Sequence, residues 1–186
     1  MKLVNFSVTN YRSITSANRL PIANNTILIG PNNEGKSNLL HALSAGMGLI
    51  ETFARPELAR FRGSVRRAYR ELYNWEMDFP ISLQSDNPNG KSIFRLEFEL
   101  DDDEVTDFWN EIHSTLNGTL PIELRIGKSE EPSFRVMKRG PGGPALSAKA
   151  EKIAQFLGSR VDFNYIPAVR TAEAAAEVVS TMVARK

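Results

Sequence analysis

The residues whose types and spacing could do chemistry are Gly30-Pro31-Asn32-Asn33-Glu34-Gly35-Lys36-Ser37, which carry the pattern GxxxxGKS. Each residue type has a task in holding a nucleoside triphosphate. Gly30 and Gly35 allow turns and a close backbone approach that a side chain would block. Backbone N–H groups from Gly30 through Asn32, Asn33 and Glu34 to Lys36 curl around a phosphate, aided by the positive end of the following helix. Lys36 reaches the β- and γ-phosphates, and Ser37 supplies a hydroxyl to Mg2+. The implied ligands are ATP and Mg2+. The competing reading, a chance glycine-rich turn, leaves the register of the motif and its flanks unexplained.

Such a loop works between a strand and a helix. Thr26-Ile27-Leu28-Ile29 is the apolar run expected of that strand, within a second strand over about 24–29. Leu39, Leu40, Leu43, Met47 and Ile50 then recur at helical spacing. Upstream, residues 3–10 alternate as a first strand. Tyr11-Arg12-Ser13-Ile14 continues it or turns out of it, and polar residues lead to Pro21. Downstream, 79–83 and 93–100 alternate on either side of the turn Asp86-Asn87-Pro88-Asn89-Gly90, which predicts a hairpin with one covered face. Asp101-Asp102-Asp103 opens a helix bearing Val105, Phe108, Trp109, Ile112 and Leu116. Residues 121–126 and 133–137 read as another strand pair, 139–144 as a flexible loop, and 146–157 as a helix. A strand over 161–166 reaches Pro167, and 171–184 is an alanine-rich helical stretch.

Hydrolysis asks for more than a phosphate loop: an acid that helps hold Mg2+ and a group that positions water. Leu96-Glu97-Phe98-Glu99-Leu100-Asp101-Asp102-Asp103-Glu104 is a strand ending in acids. Glu97 and Glu99 make it a half-exposed strand, however, whereas an acid-bearing core strand is apolar throughout. Helix-start acids after an edge hairpin explain the same residues. Asp162 begins its strand instead of ending it. No catalytic residue is identifiable, and the chain alone is expected to hydrolyse ATP hardly at all.

The 186 residues, 41% apolar and 24% charged, suit one soluble domain with a core, or a core plus a small lobe. No run approaches a membrane span, and no signal-peptide pattern opens the chain. Cysteine is absent, which excludes disulfides and cysteine chemistry and fits a reducing, cytoplasmic setting. His41 and His113 sit in helical patterns with no metal-ligand spacing around them. With a formal charge of +1, any argument for nucleic acid must be local.

Phe6-Ser7-Val8-Thr9-Asn10-Tyr11-Arg12-Ser13-Ile14, taken with the phosphate loop and Asn38-Leu39-Leu40, resembles the N-terminus of ABC-type ATPases related to SMC and RecF proteins. Tyr165-Ile166-Pro167-Ala168-Val169-Arg170 looks like a segment of their OLD (overcoming lysogenization defect) and phage-defence subgroup. The resemblance implies an α/β P-loop NTPase fold with an ABC/SMC-like head lobe, a mixed sheet and a hairpin-rich outer layer, incomplete C-terminally. The ATPase core would take 1–54 and 145–186, with an inserted region over about 55–144. Phosphate roles fall by resemblance on Asn33, Gly35, Lys36, Ser37 and Asn38, while Asn10, Arg12 and Ser13 lie near the base and ribose. Family members dimerise head to tail about two ATP molecules. Their signature segment, acid-bearing strand, late histidine and Toprim nuclease domain are not recognisable here. Their Mg2+-contacting glutamine has no convincing counterpart in Gln84 or Gln155.

Arg55, Arg60, Arg62, Arg66, Arg67 and Arg70 crowd one segment and could meet DNA phosphates, an acidic partner or simply water. Arg170, after a presumed core strand, is placed where ligand-facing residues collect. Trp75 and Trp109 read as packing residues. The resulting expectation is an ATP–Mg2+-binding lobe that assembles with another head, as a dimer or higher oligomer, and gates an effector protein acting on DNA or in phage defence. The alternative is a non-hydrolytic, nucleotide-dependent assembly module.

Overall fold

A computed structural model describes residues 1–31, 35–61, 63–129, 131–138 and 142–166. Expectations for Asn32, Asn33, Glu34, Arg62, the 139–141 part of the loop, Arg170 and the alanine-rich stretch lie outside the described residues. The framework is an α/β arrangement: a five-stranded sheet in the order β2-β1-β3-β4-β5, with helices against one face. The strands are β1 (Lys2–Tyr11), β2 (Ile14–Pro21), β3 (Lys91–Glu99), β4 (Thr119–Gly127) and β5 (Ser133–Val136). All four described pairings are antiparallel.

Alternation gives the sheet two unlike faces. Phe6 and Val8 of β1, Phe94, Leu96 and Phe98 of β3, and Leu120, Ile122, Leu124 and Ile126 of β4 are buried on the inner face. Against them lies α1 (Lys36–Ala54), whose Ala42, Ala45, Leu49 and Ile50 are buried. Gly46 brings this helix close: a Cβ there would touch Leu96 and Phe94 at 3.5 Å. Short helices α2 (Pro56–Phe61), α3 (Val65–Leu72), α4 (Trp75–Asp78) and α5 (Ile81–Gln84) follow. Helix α6 (Asp102–Ile112) buries Phe108, which meets Phe156 of α8 edge-on with ring centroids 5.2 Å apart. Helix α7 spans Gly142–Ser147, and α8 spans Ala150–Gly158.

The outer face is polar. Glu123 is fully buried there, accepting from Arg95 Nε at 2.8 Å and Arg125 Nε at 2.6 Å. Burial pushes its carboxyl up, but the bonds from Arg125 and Arg95 outweigh this and hold it below the usual range.

Several local expectations are corrected. Residues 79–83 do not pair with β3, because β1 and β4 occupy both edges of that strand. Beyond Phe79 the chain instead turns into α5. That makes β3 a central strand, not part of an edge hairpin. Its terminal acids serve as expected at a helix start: Asp101 and Glu104 form a reciprocal capping box on α6. The polar stretch before Pro21 is β2, an edge strand that needs only one packed face. Residues 24–29 and 161–166 are not strands, although Val161 and Phe163 still pack on the core. The helix predicted over 146–157 is divided between α7 and α8.

Candidate functional site

The candidate site is the start of α1 together with the β1–β2 turn beside it. Lys36 is the first residue of this 19-residue helix, and Gly35 is its N-cap. Gly35 has φ 88°, a left-handed value that favours glycine, and a Cβ there would stand 3.3 Å from the Ser13 hydroxyl oxygen. Glycine cannot cap the helix with a side chain, so the first-turn N–H groups keep their capacity to meet an anion. The Leu39 N–H closes the first helical bond onto the Gly35 carbonyl at 2.8 Å.

Lys36 folds back over the preceding chain. Its Nζ donates to the Gly30 carbonyl at 2.5 Å and to the Pro31 carbonyl. Both acceptors are neutral, and the group is exposed. A phosphate oxygen in their place would add the attraction of opposite charges to the ammonium's hydrogen bonds. Asn38 Nδ2 donates to Ser13 Oγ at 2.9 Å, tying the first turn of α1 to the β1–β2 turn. Ser37, on the same helical turn, is exposed.

Arg12 belongs to that β1–β2 turn. Its Nε donates to Asp78 Oδ1 at 2.7 Å, and its backbone N–H to the Asp78 carbonyl at 2.6 Å. Burial works to lower the Arg12 pKa, but the bond to Asp78 and the neighbouring Tyr11 and Asp78 outweigh it and raise the value. His41 of α1 lies against Tyr165, ring centroids 5.5 Å apart. Burial, and then the charge of Arg12, push the His41 pKa down, with Asp78 opposing.

The structure therefore brings Gly30, Gly35, Lys36, Ser37 and Asn38 together with Ser13, and sets Arg12 next to them. The residues present fit a triphosphate: a left-handed glycine at the N-cap, an ammonium next to it and a helix start without a side-chain cap. Among the described residues no cluster of three or more His, Asp or Glu could hold a metal on protein groups alone. Arg55 donates to the Gly158 carbonyl at 3.2 Å, and Arg67 to Glu71 at 3.0 Å, so these two are engaged within the chain. Trp75 packs as expected, stacked on Phe79 at 5.3 Å. Trp109 is half in solvent, against its reading as a packing residue. Among the described residues no helix is long and apolar enough to cross a membrane.

Asp78 was missed from the sequence. Its partner lies 66 positions away, and nothing local marks it.

Residues 1–49 match the family model described as AAA ATPase domain. No curated protein matches the chain. Among solved structures, one described under "Structural biochemistry of ATP-driven dimerization and DNA stimulated activation of SMC ATPases" aligns over 98% of this chain and 99% of its own, at 11% identity and a TM-score of 0.48.

Proposed function

We propose that the chain binds ATP with Mg2+ through residues 30–38, as the nucleotide-binding lobe of an assembling SMC/RecF/OLD-like ATPase that gates an effector on DNA or in phage defence. The observation that carries the nucleotide part is the position of Lys36. It opens a long helix directly after a left-handed glycine, with its Nζ resting on two exchangeable carbonyls. The match of residues 1–49 to an AAA ATPase domain supports the same reading. Lys36 would leave Gly30 and Pro31 for the phosphates, and the first-turn N–H groups would meet the same anion. Ser37 would offer its hydroxyl to Mg2+, which, when bound, neutralises charge on the phosphate oxygens. Arg12, Ser13 and Asn38 would line the neighbouring part of the nucleotide, with Asn32, Asn33 and Glu34 in the loop itself. The assembly and effector steps come from the family resemblance. In this reading the exposed arginines of 55–70 are the candidate contacts to DNA.

The non-hydrolytic assembly reading is favoured by one feature. Ile27 and Ile29 of the run before the loop are 81% and 90% exposed and belong to no strand. Such a run is a template for pairing with another strand.

Isothermal calorimetry with MgATP tests the binding. Saturable heat is expected, and its absence at millimolar nucleotide would overturn the proposal. Phosphate release then separates the two readings. Turnover near one per second, at the low end of the ordinary enzyme range, would exclude a purely non-hydrolytic module. Nucleotide-dependent oligomers without phosphate release would favour it.

A further inference from the structure

The β1–β2 turn beside the candidate site is held from a distant part of the chain. Asn10 and Arg12 have φ values of 56° and 51°, left-handed conformations that are uncommon outside glycine and persist where surroundings enforce them. The enforcing groups all come from residues 73–94. The Ser92 hydroxyl donates to the Asn10 carbonyl, and Ser92 Oγ lies 2.9 Å from the Tyr73 hydroxyl. Tyr11, between the two left-handed residues, is buried edge-on against Phe94 with centroids 5.5 Å apart. Arg12 meets Asp78 twice, through its backbone N–H and through Nε.

Asp78 is only 5% exposed, and its carboxylate is fully engaged. Oδ1 takes Arg12, while Oδ2 accepts the Asn74 N–H at 2.9 Å. Two positions are thus fixed, that of the carboxylate and that of the guanidinium it holds. Arg12 gives up Nε alone. Its side chain is 35% exposed, and among the described residues its two Nη groups have no hydrogen-bond partner. A guanidinium is a rigid, planar fork, so pinning Nε also fixes where the remaining donors lie. The next residue, Ser13, bonds Asn38 and abuts Gly35, which puts this fork beside the start of α1.

We propose that Asp78 is a positioning residue for nucleotide binding: it holds Arg12 by Nε and so presents the Nη groups to the anionic part of the nucleotide next to Gly35 and Lys36. The inference rests on the proposed ATP site and adds to it a residue from outside the phosphate loop. It also gives the inserted region a role, since α4 follows the arginine-bearing α2 and α3 directly. A shift of α4 would move Arg12, so an event on the 55–72 surface could be felt at the nucleotide.

The test is calorimetry of MgATP on the full chain and on Asp78→Asn, Arg12→Lys, Arg12→Ala and the Arg12→Ala/Asp78→Asn double variant, with thermal melts alongside. Asp78→Asn is expected to weaken binding about tenfold, the size of one lost charge-assisted bond. Arg12→Lys should weaken it comparably, because lysine keeps the charge but has no Nε to be pinned. In the Arg12→Ala background, Asp78→Asn should change the affinity no further. An equal loss in that background would show a general structural role and overturn the proposal. Arg12→Lys binding as tightly as wild type would also overturn it, and decides the matter should Asp78→Asn fail to fold. If wild type binds no MgATP, the ATP-site reading itself fails and takes this proposal with it. Wild-type binding with unchanged variants sinks only the role of Asp78.

Discussion

The two flanks of the phosphate loop are similarly apolar in sequence and opposite in structure. After the loop, α1 lays Ala42, Ala45, Leu49 and Ile50 on the sheet, and Gly46 lets it come close. Before the loop, Ile27 and Ile29 stand in solvent. Hydrophobicity alone does not explain the difference. The difference lies in what each flank packs against: α1 covers the inner sheet face, whereas the 24–29 run joins no strand of the sheet. The built flank therefore carries the stability, and the open flank carries the capacity for new pairing.

The strongest way to break this comparison is Leu49→Ala on the built flank. Leu49 is fully buried, so urea unfolding should show a loss of about 2–5 kcal/mol. A loss below about 1 kcal/mol would mean that α1 is not packed as described. Lys36→Ala, at the junction of the flanks, should cost about 1.5–3 kcal/mol of MgATP affinity, roughly ten- to hundredfold, with little change in melting temperature. Calorimetry reads the first and a thermal melt the second; unchanged affinity would remove Lys36 from the site.

The outer sheet face sharpens the contrast, because there burial rests on charge. The folded pKa of Glu123 is depressed, so its stabilisation is present above the ordinary carboxylate value and is lost as pH falls through the folded value. Glu123→Gln should therefore destabilise the chain at neutral pH by about 1–2 kcal/mol and flatten the decline in stability below about pH 4. Denaturant unfolding across pH checks this, and an unchanged acid limb would show that the arginines do not hold the carboxylate. The smallest effect is expected on the open flank. Ile29→Lys should change stability by no more than about 0.5 kcal/mol, since the side chain touches little. A loss of several kcal/mol would show that this run is buried after all.

What was legible in the sequence was what local pattern decides. GxxxxGKS with apolar periodicity after it gave α1, and strict alternation gave β3. The acid run Asp101-Asp102-Asp103 gave the start of α6. What was not legible depended on which strand edges remain free, and that follows from sheet order. Residues 79–83 carry a strand-like pattern but meet a central β3 with no edge to offer. β2 is polar because it is an edge, so it lacked the signal that found its neighbours. At the site, glycine and lysine identities pointed to the proposed phosphate cradle. Arg12 was named through family resemblance, but the carboxylate that holds it sits on a four-residue helix with no periodicity to read.

Asn87-Pro88-Asn89-Gly90 has the composition of a spacer, the kind of surface bend where insertions are usually absorbed. Its last residue is anything but slack. The Gly90 carbonyl accepts the Trp75 indole N–H at 2.9 Å, and a Cβ on Gly90 would fall 2.2 Å from the Phe79 ring. Even an added methyl group here would wedge against the aromatic pair that brackets Asp78. If Asp78 positions Arg12 as proposed, a lesion in this bend would register as a defect in ligand handling, and a screen that scored the segment as a harmless tether would misplace its cause.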